Sequence, residues 1–362
     1  MVVVTWVATR SSGPTGSAAP SRPVGARHSP SPAWRGLAAA VPIPHAPPAV
    51  EAGLLPSRLG APVSREVVAP TSSGALLVVG GLEPDGSSGA GVFSISVPGG
   101  TATTLPSLPV GLHDAAAAPL GNRLMIFGGG DPVATDLTQS LSLAPPPSPA
   151  TQLGHLPQPR ADAEAVTIGP TAYVVGGYTG SAPDASVLAT SDGVNFRSVA
   201  TLPVPVRYPA VAALSGKIYV FGGEAITGQS AGQPVNVVQV VDPVQGQVTM
   251  GSPMPVALDG AAAGVAGGTL YVAGGVTAPG DPSASIWAFD PTSGRLLEAG
   301  NLPVAVANAG ATVVGSRLWL VGGEAAGGVP VTDIQMVEPN VAFGIAGSPG
   351  AGSPPHQGGG NR

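Results

Sequence analysis

IYVFGG, residues 218–223, is an apolar run closed by two adjacent glycines, and it has five counterparts: LLVVGG (76–81), LMIFGG (124–129), AYVVGG (172–177), LYVAGG (270–275) and LWLVGG (318–323). The pairs Gly80-Gly81, Gly128-Gly129, Gly176-Gly177, Gly222-Gly223, Gly274-Gly275 and Gly322-Gly323 stand 48, 48, 46, 52 and 48 residues apart. A fixed period of this size marks one supersecondary unit repeated along the chain, each copy burying its apolar face against the next.

Working outward from the apolar run, each repeat reads alike. Before it lies a strand of small residues, such as Val211–Leu214 or Ala311–Val314, joined to it by a turn such as Ser215-Gly216. Short turns with glycine suit hairpins. After the glycines comes a longer polar loop and a third strand, seen in VVQVVDP (237–243), IWAFDP (286–291) and IQMVEP (334–339). A weaker fourth strand ends near Leu108-Pro109, Leu156-Pro157, Leu202-Pro203, Met254-Pro255 or Leu302-Pro303. No helical pattern intervenes, which excludes parallel βαβ architecture. Four short antiparallel strands in about 50 residues make one propeller blade. The expected fold is therefore all-β, a six-bladed β-propeller of four-stranded antiparallel blades.

The ends of the repeat array fit together. EAGLLP (51–56) matches EAGNLP (298–303) of the fifth repeat, so Glu51 to Pro56 reads as a fourth strand with no partners of its own. The last repeat, about 309–338, lacks a fourth strand. Pairing the N-terminal strand into the last blade would close the ring and cover an edge that otherwise invites aggregation.

Composition supports this division. Gly (54) and Pro (42) exceed a quarter of the 362 residues, but the glycines recur in register with apolar strands, so most of the chain reads as folded. With aromatics at 4%, the core must come from Val, Leu, Ile and Ala. Residues 1–49, crowded with Pro, Ser and Ala, and 341–362, rich in Gly, Pro and Ser, cannot bury enough apolar surface to offset ordering and read as disordered. The propeller is assigned to 50–340. MVVVTWVA at the start is far shorter than a membrane span of about 20 residues. It reads either as a disordered terminus or as the stub of a signal or anchor segment, with a stalk behind it and N-terminal membrane attachment of an extracytoplasmic, monomeric protein.

The charges exclude several functions. Arg10, Arg22, Arg27 and Arg35 precede residue 50 without any acid, and the remainder holds 20 acids against 10 bases. Nucleic acid is a poor partner for so acidic a domain. The absence of Cys removes disulfides, thiolate metal sites and cysteine nucleophiles. His113 and His155 lack a ligand partner at zinc spacing, and no glycine pair opens a helix as a phosphate loop does. No metal or other cofactor is expected. Ser191-Asp192-Gly193-Val194-Asn195-Phe196 resembles the Asp-box turn of sialidase-like propellers and reads as a structural hairpin device.

The apolar-Gly-Gly strands, the Asp242-Pro243 and Asp290-Pro291 corners, and the aromatics Tyr173, Tyr219, Tyr271 and Trp319 before the glycines together resemble the kelch-repeat β-propeller family, to which galactose-oxidase-like propellers also belong. The resemblance covers roughly 50–340, with Phe196 or aliphatics such as Leu296 where the family carries a fourth-strand Trp. It implies a six-bladed fold and leaves activity open, since oxidases, sugar mutarotases and interaction scaffolds share it. Copper-radical oxidation of the galactose-oxidase kind needs a Cys-Tyr crosslink, which a chain without Cys cannot form.

In such blades the 2–3 and 4–1 loops open on one face, and here the 2–3 loops are long while the 1–2 turns are minimal. Rigid scaffolds carry function on such loops. The candidate ligand-binding residues are His113, Asp114, Arg160, Asp162, Glu164, Arg207, Tyr208, Asp259 and Asn308 of the 4–1 segments, with Glu224 and Glu324 of the 2–3 loops. Arg65 and Glu66 lie in the first of the 4–1 segments. The charges read either as a binding mouth or as the solubility that apolar strands leave to loops. With no nucleophile–base motif, no catalytic residue is assigned. The leading expectation is a non-catalytic scaffold for a protein or glycan. Its rival is a sugar-processing enzyme resembling kelch sialic-acid mutarotases, with Arg160 and Arg207 holding a carboxylate and Glu164 or Glu224 moving a proton.

Overall fold

The computed structural model describes residues 49–100, 102–130, 133–144, 148–225 and 231–340. Apart from Ala49, the two end segments expected to be disordered lie outside the described residues. The described residues form strands, turns and loops without a helix, in a β-propeller-like all-β fold.

The repeat reappears as a four-stranded antiparallel sheet. In the fourth repeat Ala210–Leu214 pairs with Lys217–Phe221, from Ala210↔Phe221 to Leu214↔Lys217. Lys217–Phe221 then pairs with Val238–Asp242, and that strand with Gln247–Met250. The other sheets follow the same order, and their first strands are Val67–Pro70, Ala116–Leu120, Glu164–Ile168, Asp259–Ala266 and Gly310–Val314. These first strands pack against one another in chain order, and Gly310–Val314 packs against Val67–Pro70. In the fifth repeat the second strand does not stop at its glycines but runs Thr269–Ala278, because Val276 pairs with Asp259 and Pro282.

The N-terminal strand, Val50–Leu54, pairs antiparallel with Ile334–Pro339, from Val50↔Pro339 to Leu54↔Gln335. Leu55 N–H continues the ladder to Ile334 O at 2.9 Å. It supplies the fourth strand of the last sheet.

Each core cluster lies between neighbouring sheets. Val175 and Val187 of the third sheet meet Val211 and Val220 of the fourth. Trp319 and Val321 of the last meet Val68, Leu76 and Val78 of the first. Small first-strand residues let the sheets converge, and the larger Tyr219, Phe221 and Phe289 pack farther out.

Each glycine pair joins one sheet to the next. The second glycine of a pair donates its N–H to a carbonyl in the lead-in of the following sheet: Gly81 to Leu112, Gly129 to Arg160, Gly177 to Val206, Gly223 to Leu258 and Gly275 to Val306. Gly323 donates to Val63, in the lead-in of the first. At the fourth pair φ is +57° and +92°, and a Cβ on Gly222 would fall on Leu258 O, the same carbonyl that Gly223 engages. Only glycine fits both the dihedral and the approach.

Buried glutamines supply a second clamp. Gln239 accepts from Val204 N–H and donates to Val204 O, both at 2.9 Å, and Gln139 and Gln335 hold Val110 and Val304 in the same way. Each satisfies a backbone segment that no strand reaches. Asp192 accepts the Val194 and Asn195 N–H groups and the Asn195 side-chain amide, so the Asp-box-like stretch is a turn device.

Candidate functional site

Two residues before each first strand, or in the fifth repeat at the strand's second residue, the backbone adopts the left-handed region: Arg65, Asp114, Asp162, Tyr208, Gly260 and Asn308, with φ between +51° and +59°. Their backbones form a circuit. Asp114 N–H donates to Arg65 O, Asp162 to Asp114, Tyr208 to Asp162, Gly260 to Tyr208, Asn308 to Gly260 and Arg65 to Asn308, at 2.8–3.1 Å. Left-handed φ is cheap for Gly, Asn and Asp but costs about 1 kcal/mol or more for Arg65 and Tyr208. The circuit holds them there, and it forms the rim of a cavity of about 410 Å³ lined below by small first-strand residues such as Ala117, Ala165, Ala263 and Ala311.

The rim side chains form one network. Arg65 reaches across to Tyr208 Oη at 3.0 Å, pairs with Asp114 Oδ2 at 3.2 Å and pairs with Glu324 Oε1 at 2.8 Å. Arg207 donates to both Glu224 oxygens at 2.8 and 3.0 Å and lies 3.7 Å from Asp162 Oδ2. The Tyr208 ring sits 5.5 Å from each guanidinium, and Tyr178 lies 5.9 Å from that of Arg207. Asn308 donates to Glu324 Oε2 at 3.0 Å. His113 shares a hydrogen with Ser88 Oγ at 2.8 Å and has Nε2 3.7 Å from Asp114.

Enclosure shifts these groups. Burial, reinforced by the Asp114 charge and opposed by Arg207, pushes Asp162 up to about 7. Burial and the Glu224 charge likewise raise Asp259 to about 7. Glu164 opens onto the cavity but is crowded by protein, and burial raises it to about 7. Asp114 is also raised by burial, against the pull of Arg65. For Arg65 burial works against the charge, yet Asp114, Tyr208 and Glu324 outweigh it and hold the guanidinium protonated.

The structure thus brings His113, Asp114, Asp162, Glu164, Arg207, Tyr208, Glu224, Asp259, Asn308 and Glu324 to one opening. Arg160 is not among them. It is 1% exposed, pairs with Asp184 and donates to the Gly176 and Ser186 carbonyls, while its own carbonyl receives Gly129. Its position two residues before the rim residue Asp162 turns the side chain between sheets, and burial lowers its affinity for the proton. Two members were not among the candidates. Arg65 spans the rim, and its signal was the step of 49 residues to Asp114, which repeats the period. Tyr178 follows Gly177 directly, as Glu224 follows Gly223 and Glu324 follows Gly323, the position bridged to the segment before each rim residue.

The kelch motif matches residues 205–255 and 258–295, the fourth and fifth repeats. No curated protein matches the sequence. Among solved structures, that of YjhT superposes with a TM-score of 0.62 at 17% identity, over 78% of this chain and 96% of that one. At that identity the likeness speaks for the fold alone. The chain thus carries kelch motifs in two adjacent repeats and shares the fold of a solved propeller-type structure.

Proposed function

We propose that the chain is a six-bladed propeller, sealed by Val50–Leu54 in the last blade, that serves as a non-catalytic scaffold binding a protein or glycan at the rim face. The circuit of six rim hydrogen bonds carries this reading. It fixes six backbone positions, five of them carrying side chains, around one opening, which is how a rigid platform avoids the entropy cost of ordering loops on binding. The acidic and aromatic character of the opening suits a polar partner. The protein acts as an extracytoplasmic monomer, tethered or released according to what precedes the propeller.

Substituting Arg207 with Ala removes the Nη2 group that donates to both Glu224 oxygens and the guanidinium that lies over the Tyr208 ring. Capture on a glycan array or from an extracellular extract should fall roughly tenfold, ~1.4 kcal/mol. Lys217→Ala, at the exposed start of the second strand, should bind as wild type. Undiminished capture by the Arg207 variant would place the binding face elsewhere.

One observation favours a second reading. Glu164 at the cavity and Asp162 at its rim, both raised to about 7, are poised for proton transfer near neutral pH. A sugar-processing enzyme resembling the kelch sialic-acid mutarotases would use them with Arg65 and Arg207, since Arg160 is engaged between sheets. Such an enzyme should speed the anomerisation of free sialic acid in an NMR exchange measurement, and Glu164→Gln should slow it. A rate equal to buffer removes this reading.

A further inference from the structure

Among the described residues, the opening carries more carboxylates than its arginines pair. Its two arginines each serve two carboxylates: Arg65 faces Asp114 and Glu324, and Arg207 faces Asp162 and Glu224. Of the two carboxylates left over, Glu164 opens onto the cavity, whereas Asp259 is 8% exposed, and among the described residues its side chain accepts no hydrogen bond and joins no ion pair. It stands one residue before Gly260 of the circuit, the position that Arg207 occupies in the fourth repeat, within Coulombic range of Glu224, Arg207, Arg65 and Glu324. Among the described residues no protein group answers this carboxylate, so a positive group from outside gains its full attraction at little further cost.

That group is organic. Among the described residues no three His, Asp or Glu side chains are placed to hold a metal ion. The rim already seats guanidinium groups against both aromatic rings and carboxylates, the geometry a further one would use. The opening to solvent sets the source, since a side chain carried on a partner's surface reaches a rim residue without entering the cavity below.

We propose that Asp259, flanked by Glu224 and Glu324, receives the guanidinium or ammonium group of a basic side chain presented by a protein partner. This rests on the scaffold reading and narrows its partner to a protein with an exposed Arg or Lys.

The test uses the full chain at pH 8 on a synthetic peptide array with Arg, Lys, Gln or Glu at a fixed central position and random flanks. Peptides with central Arg or Lys should bind at least about tenfold better than those with Gln or Glu, and the Asp259→Asn protein should lose that preference. Asp259→Asn keeps the side-chain shape, and its thermal unfolding should match or exceed wild type, so a lost preference reports on charge. Equal binding of Arg and Gln peptides, or a preference that survives Asp259→Asn, overturns the proposal. So does arginine amide binding, by NMR titration, as tightly as the best peptide, since the site would then take a free amine. Glycan or protein capture that still depends on Arg207 under those outcomes would leave the scaffold reading standing.

Discussion

Replacing Gly222 with Ala is expected to cost about 4 kcal/mol, a large share of the roughly 5–15 kcal/mol that holds a typical domain folded. Two effects combine. The residue sits at φ +57°, where a Cβ meets its own backbone at a cost of about 1–2 kcal/mol. The added methyl also falls on Leu258 O, so either the fourth or the fifth sheet must move and the hydrogen bond from Gly223 at 2.8 Å stretches. Gly216→Ala separates the two effects. That glycine has φ +77° and open space around its would-be Cβ, so only the dihedral cost of about 1–2 kcal/mol should appear. Urea denaturation of the two variants and wild type measures the difference. Equal losses would mean that close approach of the sheets is not what the glycine pairs provide.

The same glycines explain why so much of the fold was legible. An apolar run ending in Gly-Gly states a strand, a left-handed backbone and a near contact at once, and its period gives the repeat. The match between EAGLLP and EAGNLP located the strand that pairs with Ile334–Pro339, because fourth strands share that pattern. The site was readable only as far as the period extended. Asp114, Asp162, Tyr208 and Asn308 occur at the repeat spacing, and the rim collects them. Arg160 misled because charge in a 4–1 segment carries no mark of direction. Two residues upstream of the rim, a side chain turns between sheets toward Asp184, and nothing local distinguishes that orientation. Nor does a single sequence show that Gln139, Gln239 and Gln335 clamp distant backbone, since each looks like an ordinary polar residue in an apolar strand.

Glu66→Gln should stabilise the protein, and only in neutral to basic solution. Glu66 follows the first rim residue, where other repeats carry Ala or Pro, and it is 6% exposed. The space it fills exists because Gly310 and Gly322 have no side chains, and its Oε1 accepts Gly310 N–H at 3.2 Å. Its Oε2 has no partner, and burial raises the carboxyl from 4.5 to about 8. A raised carboxyl pKa means that the folded state binds a proton which the unfolded state releases. Stability therefore falls as pH climbs from about 4.5 to about 8, and levels off above that. Glutamine mimics the protonated acid, keeps an oxygen for Gly310 and cannot ionise. At pH 5 the variant and wild type should unfold alike to within about 1 kcal/mol, whereas at pH 8 the variant should be more stable by about 3 kcal/mol. Asp162, Asp259 and Glu164 are shifted in the same direction, to about 7, so the variant should still lose stability with rising pH, but less steeply. A gap between the proteins that is the same at both pH values would show that Glu66 is not buried as an acid, and that its charge finds water between the first and last sheets.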